Sequence, residues 1–219
     1  MIITIDGPAG TGKTTIAEKV AAKLDYRYFD TGAMYRAVTY LIINDKINLG
    51  NESELETLLK QFQFDIRKDE GNKRYFVEDQ DVTTVIRSRE VTQHVSEVSA
   101  KPIIRAALVE IQRRFGKKGD TVFEGRDMGT VVFPEAELKI FLTARPAVRA
   151  ERRYLELKDS VTQSTQEDVL QELLKRDHFD STREASPLKQ AEDAHLIDTS
   201  DLTIEQVVDR ILALIKRSK

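Results

Sequence analysis

The chain of 219 residues contains no cysteine and only three histidines. The absence of cysteine excludes disulfide bonds, thiolate-ligated zinc, iron–sulfur clusters and a cysteine nucleophile. So few histidines also argue against a histidine-rich metal site. The classes of protein that depend on these groups are therefore excluded.

A surplus of positive charge and long apolar runs are missing as well. The 34 basic residues are outnumbered by 37 acidic ones, which gives a formal charge of −3, whereas general nucleic-acid binders normally show a basic surplus. The apolar run at the N-terminus extends only from Ile2 to Ile5, far less than a signal-peptide core of about 7–15 residues or a membrane span of about 20. We therefore expect a cytoplasmic protein that binds neither nucleic acid nor membranes.

What the chain does contain is an alternation of short apolar strands and amphipathic helices. Strands are predicted over residues 2–5, 26–29, 121–123, 138–142 and 194–197. Such an alternation indicates a parallel sheet covered by helices on both faces. Residues 62–77 instead hold two alternating stretches separated by a polar, glycine-containing segment, which is typical of a β-hairpin. The sequence thus predicts a three-layer α/β fold with a five-stranded parallel sheet (1–60 and 97–219) and an inserted antiparallel module (61–96).

A glycine-rich segment joins the first predicted strand to the first predicted helix. Residues 7–14 read GPAGTGKT and match the phosphate-loop pattern G-x-x-x-x-G-K-[ST]. The glycines allow successive backbone N–H groups to point at phosphate oxygens, and the following helix presents its positive end. Lys13 would add a mobile charge at the β- and γ-phosphates, and Thr14 a hydroxyl ligand for Mg²⁺. The segment predicts binding of a nucleoside triphosphate.

Other features separate the classes of phosphate-loop protein. The Asn-Lys-x-Asp motif that reads guanine in switch GTPases is absent. A standard Walker B acid after an apolar run is absent too, the nearest candidate being Glu124. Arginines are instead concentrated in the later helices, which favours a small-molecule kinase.

Two polar helices, predicted over 146–158 and 166–179, carry these arginines. Arg149, Arg152 and Arg153 share one face of the first helix. Arg176, Asp180 and Arg183 lie at i, i+4 and i+7 and would share one face of the second helix, if it continues past residue 179. Arginines stabilise the charge of a transferring phosphoryl group, and a closing lid excludes water. We therefore predict a helical lid over about 145–183.

Two further segments each follow a predicted strand, at the sheet edge where ligands of open α/β sheets bind. They are DTGAMYR (30–36) and EGRDMGT (124–130). The first supplies a hydroxyl and Arg36, and the second supplies Arg126 and Asp127, suited to a phosphate and a polar base. These segments are candidate acceptor-binding sites.

The chain resembles the bacterial cytidylate kinases of the nucleoside monophosphate kinase group nearly from end to end. The segments that carry the resemblance are IDGPAGTGKTT, DTGAMYR, EGRDMGTVVFP and KRDHFDSTREASPL. It implies transfer of the γ-phosphoryl group of ATP to CMP or dCMP with Mg²⁺. The module at 61–96 is similar to the enlarged monophosphate-binding domain of that family. Because no long apolar stripe demands a partner, we expect a monomer.

The resemblance also implies roles for individual residues. For the ATP phosphates they are Gly7, Pro8, Ala9, Gly10, Thr11, Gly12, Lys13, Thr14 and Thr15. For CMP they are Arg36 and Arg126 (phosphate), Ser96, Arg105 and Asp127 with Thr31 nearby (cytosine), Arg176 and Asp180 (ribose), and Arg183 (phosphates of donor and acceptor). The residues expected to act in catalysis are Lys13, Arg126, Arg176 and Arg183.

Two positions depart from the family pattern, and two alternative functions stay open. Glu124 stands where many relatives have aspartate, and Thr31 where some have serine. One alternative is a kinase of another small molecule, such as UMP, thymidylate or shikimate. The other is an ATP-dependent regulatory or nucleic-acid-binding module, against which the near-neutral charge argues. The choice between CMP and dCMP and the preferred donor stay open.

Overall fold

The computed structural model describes residues 1–69, 72–157 and 165–217. The chain forms two compact units: Met1–Phe29 together with Gly116–Lys219, and Asp30–Phe115. Residues 61–96 lie within the second unit, and their role as an inserted CMP-binding domain stays a prediction.

The described elements follow one another in a simple order. They are β1 (Ile2–Asp6), α1 (Lys13–Leu24), β2 (Arg27–Asp30), α2 (Thr31–Asn44), α3 (Glu52–Gln61), β3 (Phe64–Asp69), β4 (Asn72–Val77), β5 (Gln80–Asp81), a 3₁₀ turn (Val85–Arg87), α4 (Arg89–Ala100), α5 (Pro102–Gly116), β6 (Thr121–Gly125), a π-helical turn (Met128–Val132), β7 (Leu138–Thr143), α6 (Pro146–Leu157), α7 (Gln166–Thr182), β8 (His195–Asp198) and α8 (Ile204–Arg217).

The first unit is built on a five-stranded sheet in the order β2-β6-β1-β7-β8. Strand β1 pairs in parallel with β6 and β7, and β7 pairs in parallel with β8. Apolar side chains of β1, β7, α1 and α8 form its core, as expected for strands covered on both faces. The predicted five-stranded parallel sheet is confirmed.

The sheet places three loops side by side. Because parallel strands end at the same edge, the segments that follow β1, β6 and β7 emerge together. They are the phosphate loop at 7–12, the segment from Arg126 to the π-helical turn, and the approach to α6.

The second unit contains the three-stranded antiparallel sheet β3-β4-β5 and the helices α2 to α5. The pairing of Phe64 with Val77 sets the hairpin register, so the predicted hairpin is confirmed. Helix α4 was not predicted, because its surface is mostly polar. Its buried residues Val91, Val95 and Val98 nevertheless follow helical spacing and form one apolar side.

Helices α6 and α7 belong to the first unit and pack against each other. Residues 158–164, which include the last residue predicted for α6, lie outside the described ranges. Helix α7 begins with a capping box of Thr165 and Asp168 and continues to Thr182, so that Arg183 is its C-cap. None of the described helices is long and apolar enough to cross a membrane.

Candidate active site

The loop after β1 has the backbone geometry of a phosphate cradle. Gly7, Gly10 and Gly12 all have positive φ angles, of 148°, 77° and 85°. A Cβ on Gly7 would lie 2.1 Å from the carbonyl oxygen of Leu142, so only glycine fits there. Gly12 is the N-cap of α1 and provides no side chain to its first N–H groups. These N–H groups are therefore suited to bind an anion.

Lys13 is buried at the beginning of α1 and its ammonium group turns back onto the loop. Its Nζ donates to the carbonyl oxygen of Pro8 at 2.6 Å. Burial lowers the pKa of Lys13 and the charge of Arg126 lowers it further, whereas Glu124 and Asp6 oppose the shift. Additional negative charge at this loop would therefore stabilise the charged form of Lys13.

Thr14 and Glu124 form an oxygen-rich pair beside the loop. The Thr14 hydroxyl donates to Glu124 Oε2 at 3.1 Å. The Tyr28 hydroxyl donates to Glu124 Oε1. Glu124 is the fourth residue of β6 and is 4% exposed. The strand and two hydroxyl donors thus fix the orientation of this carboxylate.

Three arginines surround the buried carboxylate of Asp180. Arg126 Nε donates to Asp180 Oδ2 at 3.0 Å, and Arg176 and Arg183 reach the same carboxylate at 4.0 Å each. Burial would raise the pKa of Asp180, but the three guanidinium groups together hold it below its ordinary value. Burial and the charge of Arg126 lower the pKa of Arg176 to about 10.

Asp127 lies next to this arginine cluster. Its Oδ1 is 4.0 Å from Arg183 Nη2, and the Asp127 side chain is 3% exposed. The first unit thus brings Arg126, Asp127, Arg176, Asp180 and Arg183 into one group, although 57 positions separate Arg126 from Arg183 in the sequence. These residues lie together as predicted; their contacts with ligands stay a prediction.

Arg149 and Asp177 connect the helix pair α6–α7 to the phosphate loop. Arg149 Nη1 donates to the Ala9 carbonyl at 3.1 Å and also to Asp177 Oδ2. Asp177 Oδ1 in turn accepts the Ala9 N–H at 3.3 Å. Arg149 is only 5% exposed, so its charge is directed into the loop rather than into solvent.

The other two arginines of α6 have different surroundings. Arg152 donates to both the hydroxyl and the carbonyl of Thr199, at 3.0 and 2.6 Å. The Thr199 hydroxyl also contacts the Thr11 carbonyl of the phosphate loop at 3.3 Å. Arg153 pairs with Glu156 one helical turn away. Arg149 and Arg152 therefore contact loops of the site, whereas the pair shown for Arg153 is local to its helix.

In the second unit, a network at the start of α2 orients Thr31 and Arg36. Asp30 caps the helix by accepting the Ala33 N–H at 2.8 Å, and its other oxygen accepts the Tyr75 hydroxyl at 3.1 Å. Thr31 is buried as the first residue of α2. Arg36 Nη1 donates to the Ile86 carbonyl at 3.2 Å and to Thr92 Oγ1 at 2.8 Å. The guanidinium group is thereby fixed by the 3₁₀ turn and by α4.

Ser96 and Arg105 are connected through a residue between them. The Ser99 hydroxyl donates to the Ser96 carbonyl at 2.9 Å, and Arg105 Nη1 donates to the Ser99 carbonyl at 3.0 Å. Arg105 is buried, and its guanidinium carbon lies 5.3 Å from the centre of the Tyr35 ring. The junction between α4 and α5 thus brings these two predicted residues into one group.

Sequence reasoning missed several residues that shape the two groups. Ser99 was not singled out, and the contact of Asp177 with Ala9 was not foreseen, because both residues meet partners on other elements. Tyr75 lies 45 positions from Asp30, whose carboxylate it contacts. The signal that could have found them is their helical or strand spacing from buried apolar residues.

The oxygen atoms of Thr14 and Glu124 fit a magnesium ion. Among the described residues, no group of three or more histidine or acidic side chains could hold a metal. A hydroxyl and one carboxylate nevertheless match Mg²⁺ in phosphate-loop proteins, where phosphates and water supply most ligands. The chemistry of this pair is therefore compatible with the predicted Mg²⁺.

Comparison with known proteins gives a consistent result. The sequence is 53% identical over 216 residues to the cytidylate kinase of Protochlamydia amoebophila, covering 97% of this chain and 95% of the relative. It is 48% identical over 217 residues to the cytidylate kinase of Carboxydothermus hydrogenoformans, with coverage of 99% and 98%.

A solved structure and a family model complete the comparison. The fold is similar to that of an uncharacterized protein from Eubacterium ventriosum, with a TM-score of 0.53, 12% identity and coverage of 99% and 98%. The family model described as "Cytidylate kinase" matches residues 3–217. This chain therefore belongs to the cytidylate kinase family.

Proposed function

We propose that the protein transfers the γ-phosphoryl group of ATP to CMP or dCMP, yielding ADP and CDP or dCDP. The observation that carries this proposal is the arrangement of positive charge in the first unit. The phosphate loop with its buried lysine and the segment that begins with Arg126 follow strands that end at the same sheet edge, and Arg126 meets two arginines at the end of α7 around Asp180. Such an arrangement suits the negative charge of two phosphorylated substrates.

The donor phosphates are assigned to residues 7–15. The positive φ angles of Gly7, Gly10 and Gly12 support this role because they let N–H groups face inward. Thr14 and Glu124 would hold the Mg²⁺ that accompanies ATP, which when bound offsets charge on the β- and γ-phosphates. Glu124 would thus supply an acidic group at the position where many relatives have aspartate.

The acceptor is assigned to residues of both units. In the first unit, Arg126 would bind the CMP phosphate, Asp127 the cytosine amino group, and Arg176 and Asp180 the ribose. In the second unit, Arg36 would bind the phosphate, and Ser96 and Arg105 the cytosine acceptors, with Thr31 nearby. The chemistry is complementary, because N4 of cytosine donates hydrogen bonds while N3 and O2 accept them.

Catalysis would arise from positioning and from charge stabilisation, without a covalent intermediate. Lys13 and Arg183 would neutralise charge that develops on the transferring group. The α6–α7 pair, with Arg149, Arg152 and Arg153, would act as a lid that excludes water. We also propose that the enzyme is cytoplasmic and monomeric. Sedimentation velocity tests the monomeric state.

The function is tested with a panel of acceptors in a coupled assay of ADP release. CMP and dCMP should outperform UMP, thymidylate and shikimate, and ADP release should depend on both acceptor and Mg²⁺. A clear preference for a non-cytosine acceptor would refute the proposal. RNA binding without acceptor-dependent ADP release would instead favour a regulatory module.

The cytosine contact is tested with Asp127→Ala. Loss of a carboxylate that accepts from N4 should lower the preference for CMP over UMP by about tenfold or more, measured as the ratio of kcat/KM values. Glu135→Ala is the control, because Glu135 is exposed and lies beyond the π-helical turn. An unchanged ratio in Asp127→Ala would assign base recognition to other residues.

A further inference from the structure

The carboxylate of Asp6, the last residue of β1, is not among the residues assigned to substrates above. It is 4% exposed. Its Oδ1 accepts the N–H of Met128 at 2.9 Å, and its Oδ2 accepts the N–H of Gly129 at 2.8 Å. One carboxylate therefore satisfies two consecutive backbone donors of the segment that follows β6.

These two donors begin the π-helical turn at Met128–Val132. The turn is closed by bonds from Val132 N to the Asp127 carbonyl at 3.2 Å and from Phe133 N to the Met128 carbonyl at 2.7 Å. The first N–H groups of a helical segment lack partners within it and need a cap. Asp127 stands at the cap position, but its side chain makes no capping bond. The capping acceptor comes instead from Asp6, on the neighbouring strand.

The same carboxylate adjoins both substrate-binding segments of the first unit. Asp6 is followed directly by Gly7, the first residue of the phosphate loop. The residues that it holds, Met128 and Gly129, follow directly after Arg126 and Asp127. A displacement of the turn would therefore move the two side chains assigned to CMP.

We propose that Asp6 is a positioning residue for the acceptor, which fixes the start of the π-helical turn and thereby the placement of Arg126 and Asp127. This proposal rests on the proposed function, because it takes CMP as the acceptor. It assigns to Asp6 no contact with either substrate.

The electrostatics of the site agree with this role. Burial raises the pKa of Asp6 to about 6, and the charge of Asp127 contributes to the rise. The Met128 and Gly129 N–H groups and the charge of Lys13 oppose it. Lys139 approaches from β7, with its Cδ 3.2 Å from the position of a Cβ on Gly129. Asp6 is thus ionised at neutral pH and accepts both N–H groups, whereas protonation near pH 6 removes part of this capacity.

Asp6→Asn tests the proposal at nearly constant volume. The amide retains one oxygen but turns a donor toward the second N–H group, which leaves that group without an acceptor. We expect the KM for CMP to rise about tenfold or more at pH 8, while the KM for ATP changes by less than about twofold.

The pH dependence adds a readout that a purely structural role would not produce. Wild-type Asp6 becomes neutral at low pH and then resembles asparagine. The ratio of the CMP KM values of Asp6→Asn and wild type should therefore fall toward one below pH 6. This ratio cancels the titration of the CMP phosphate itself, which is common to both proteins.

Two further variants control the experiment. Thr4 lies on the same strand and is fully buried, and its hydroxyl has no hydrogen-bond partner within the described part of the chain. The variant Thr4→Val should therefore leave the KM for CMP unchanged. Gly129→Ala would place a Cβ 3.1 Å from Thr4 Oγ1 and 3.2 Å from Lys139 Cδ. It should displace the turn and raise the KM for CMP as Asp6→Asn does.

The outcomes separate the two proposals. Failure of the wild-type protein to phosphorylate CMP would reject the proposed function. An active wild type with an unaltered KM for CMP in Asp6→Asn would overturn the role of Asp6 alone. Equal losses toward ATP and CMP, with a lowered melting temperature, would also overturn it. If Asp6→Asn does not fold, Gly129→Ala supplies the same comparison of the two KM values.

Discussion

The two units differ in what holds their site arginines. In the first unit, Asp180 faces three guanidinium groups and Asp177 faces Arg149. In the second unit, Arg36 and Arg105 donate to backbone carbonyls and to the hydroxyl of Thr92. Clustered buried cations repel one another and need a counter-charge, and carbonyl and hydroxyl oxygens orient a guanidinium group as well.

This difference suggests a division of labour. The first unit concentrates positive charge where phosphoryl transfer is proposed, and its aspartates offset the mutual repulsion of the arginines. The second unit fixes individual donors that we propose bind the acceptor. Changes in the first unit should therefore alter turnover and stability, and changes in the second should alter acceptor affinity.

The largest effect is expected for Lys13→Ala. Removal of the ammonium group from the phosphate loop should lower kcat/KM by about 10³-fold or more, because the charge that develops in the transition state loses a neutralising cation. Circular dichroism should show an intact fold. Lys19→Ala, an exposed position on the same helix, is the matched control and should retain wild-type activity. Turnover within tenfold of wild type in Lys13→Ala would contradict the assignment.

Asp180→Asn is the next prediction. The substitution leaves three arginines without their shared counter-charge, so the free energy of unfolding should fall by about 3 kcal/mol at low salt. Added phosphate should restore part of the loss by replacing the carboxylate. Urea denaturation measures both effects. Glu172→Gln, at an exposed position of α7, should change the free energy of unfolding by less than about 0.5 kcal/mol.

The raised pKa of Asp6 makes stability depend on pH. Because the folded protein binds this proton more tightly than the unfolded chain, the contribution of Asp6 to the free energy of unfolding falls as pH rises from 3.8 to about 6. The fall amounts to at most about 3 kcal/mol. Asp6→Asn has no titrating group at this position. Its free energy of unfolding, measured by urea denaturation, should therefore rise relative to that of the wild type between pH 4 and pH 7. A constant difference over this range would show that Asp6 keeps an ordinary pKa.

The smallest effect is expected for Arg36→Lys in the second unit. Lysine retains the charge but loses the planar guanidinium group, whose Nη1 donates to both the Ile86 carbonyl and Thr92 Oγ1 and whose other nitrogens can bind a phosphate. The KM for CMP should rise about tenfold with kcat nearly unchanged, in steady-state assays. Arg89→Lys, at the exposed start of α4, is the control. A fall in kcat at constant KM would place Arg36 with the catalytic arginines instead.

The features that were predicted from the sequence depend on residues that are close together in the chain. The phosphate loop is a contiguous motif, and strand–helix alternation revealed the parallel sheet, because both depend on near neighbours in the chain. The spacing of Arg176, Asp180 and Arg183 was visible as helical periodicity.

The features that were not predicted depend mainly on contacts between residues that are distant in the sequence. Asp6 meets Met128 across 122 positions, and Asp177 meets Ala9 across 168. These contacts depend on the order of the strands in the sheet, which the periodicity of the sequence does not indicate. Ser96 and Arg105 entered only through resemblance to the family, since each alone reads as an ordinary helix residue. The π-helical turn was missed because its bonds follow an uncommon spacing.

The central position of β1 in the sheet has a consequence for biosynthesis. Ile2 pairs with Thr121, and Ile3 pairs with Leu138. The strand that carries the phosphate loop therefore has neither neighbour until more than half of the 219 residues have left the ribosome. Such late closure slows folding and leaves an apolar edge open to other chains. The yield of active protein should consequently depend on how well chaperones shield the nascent N-terminal segment.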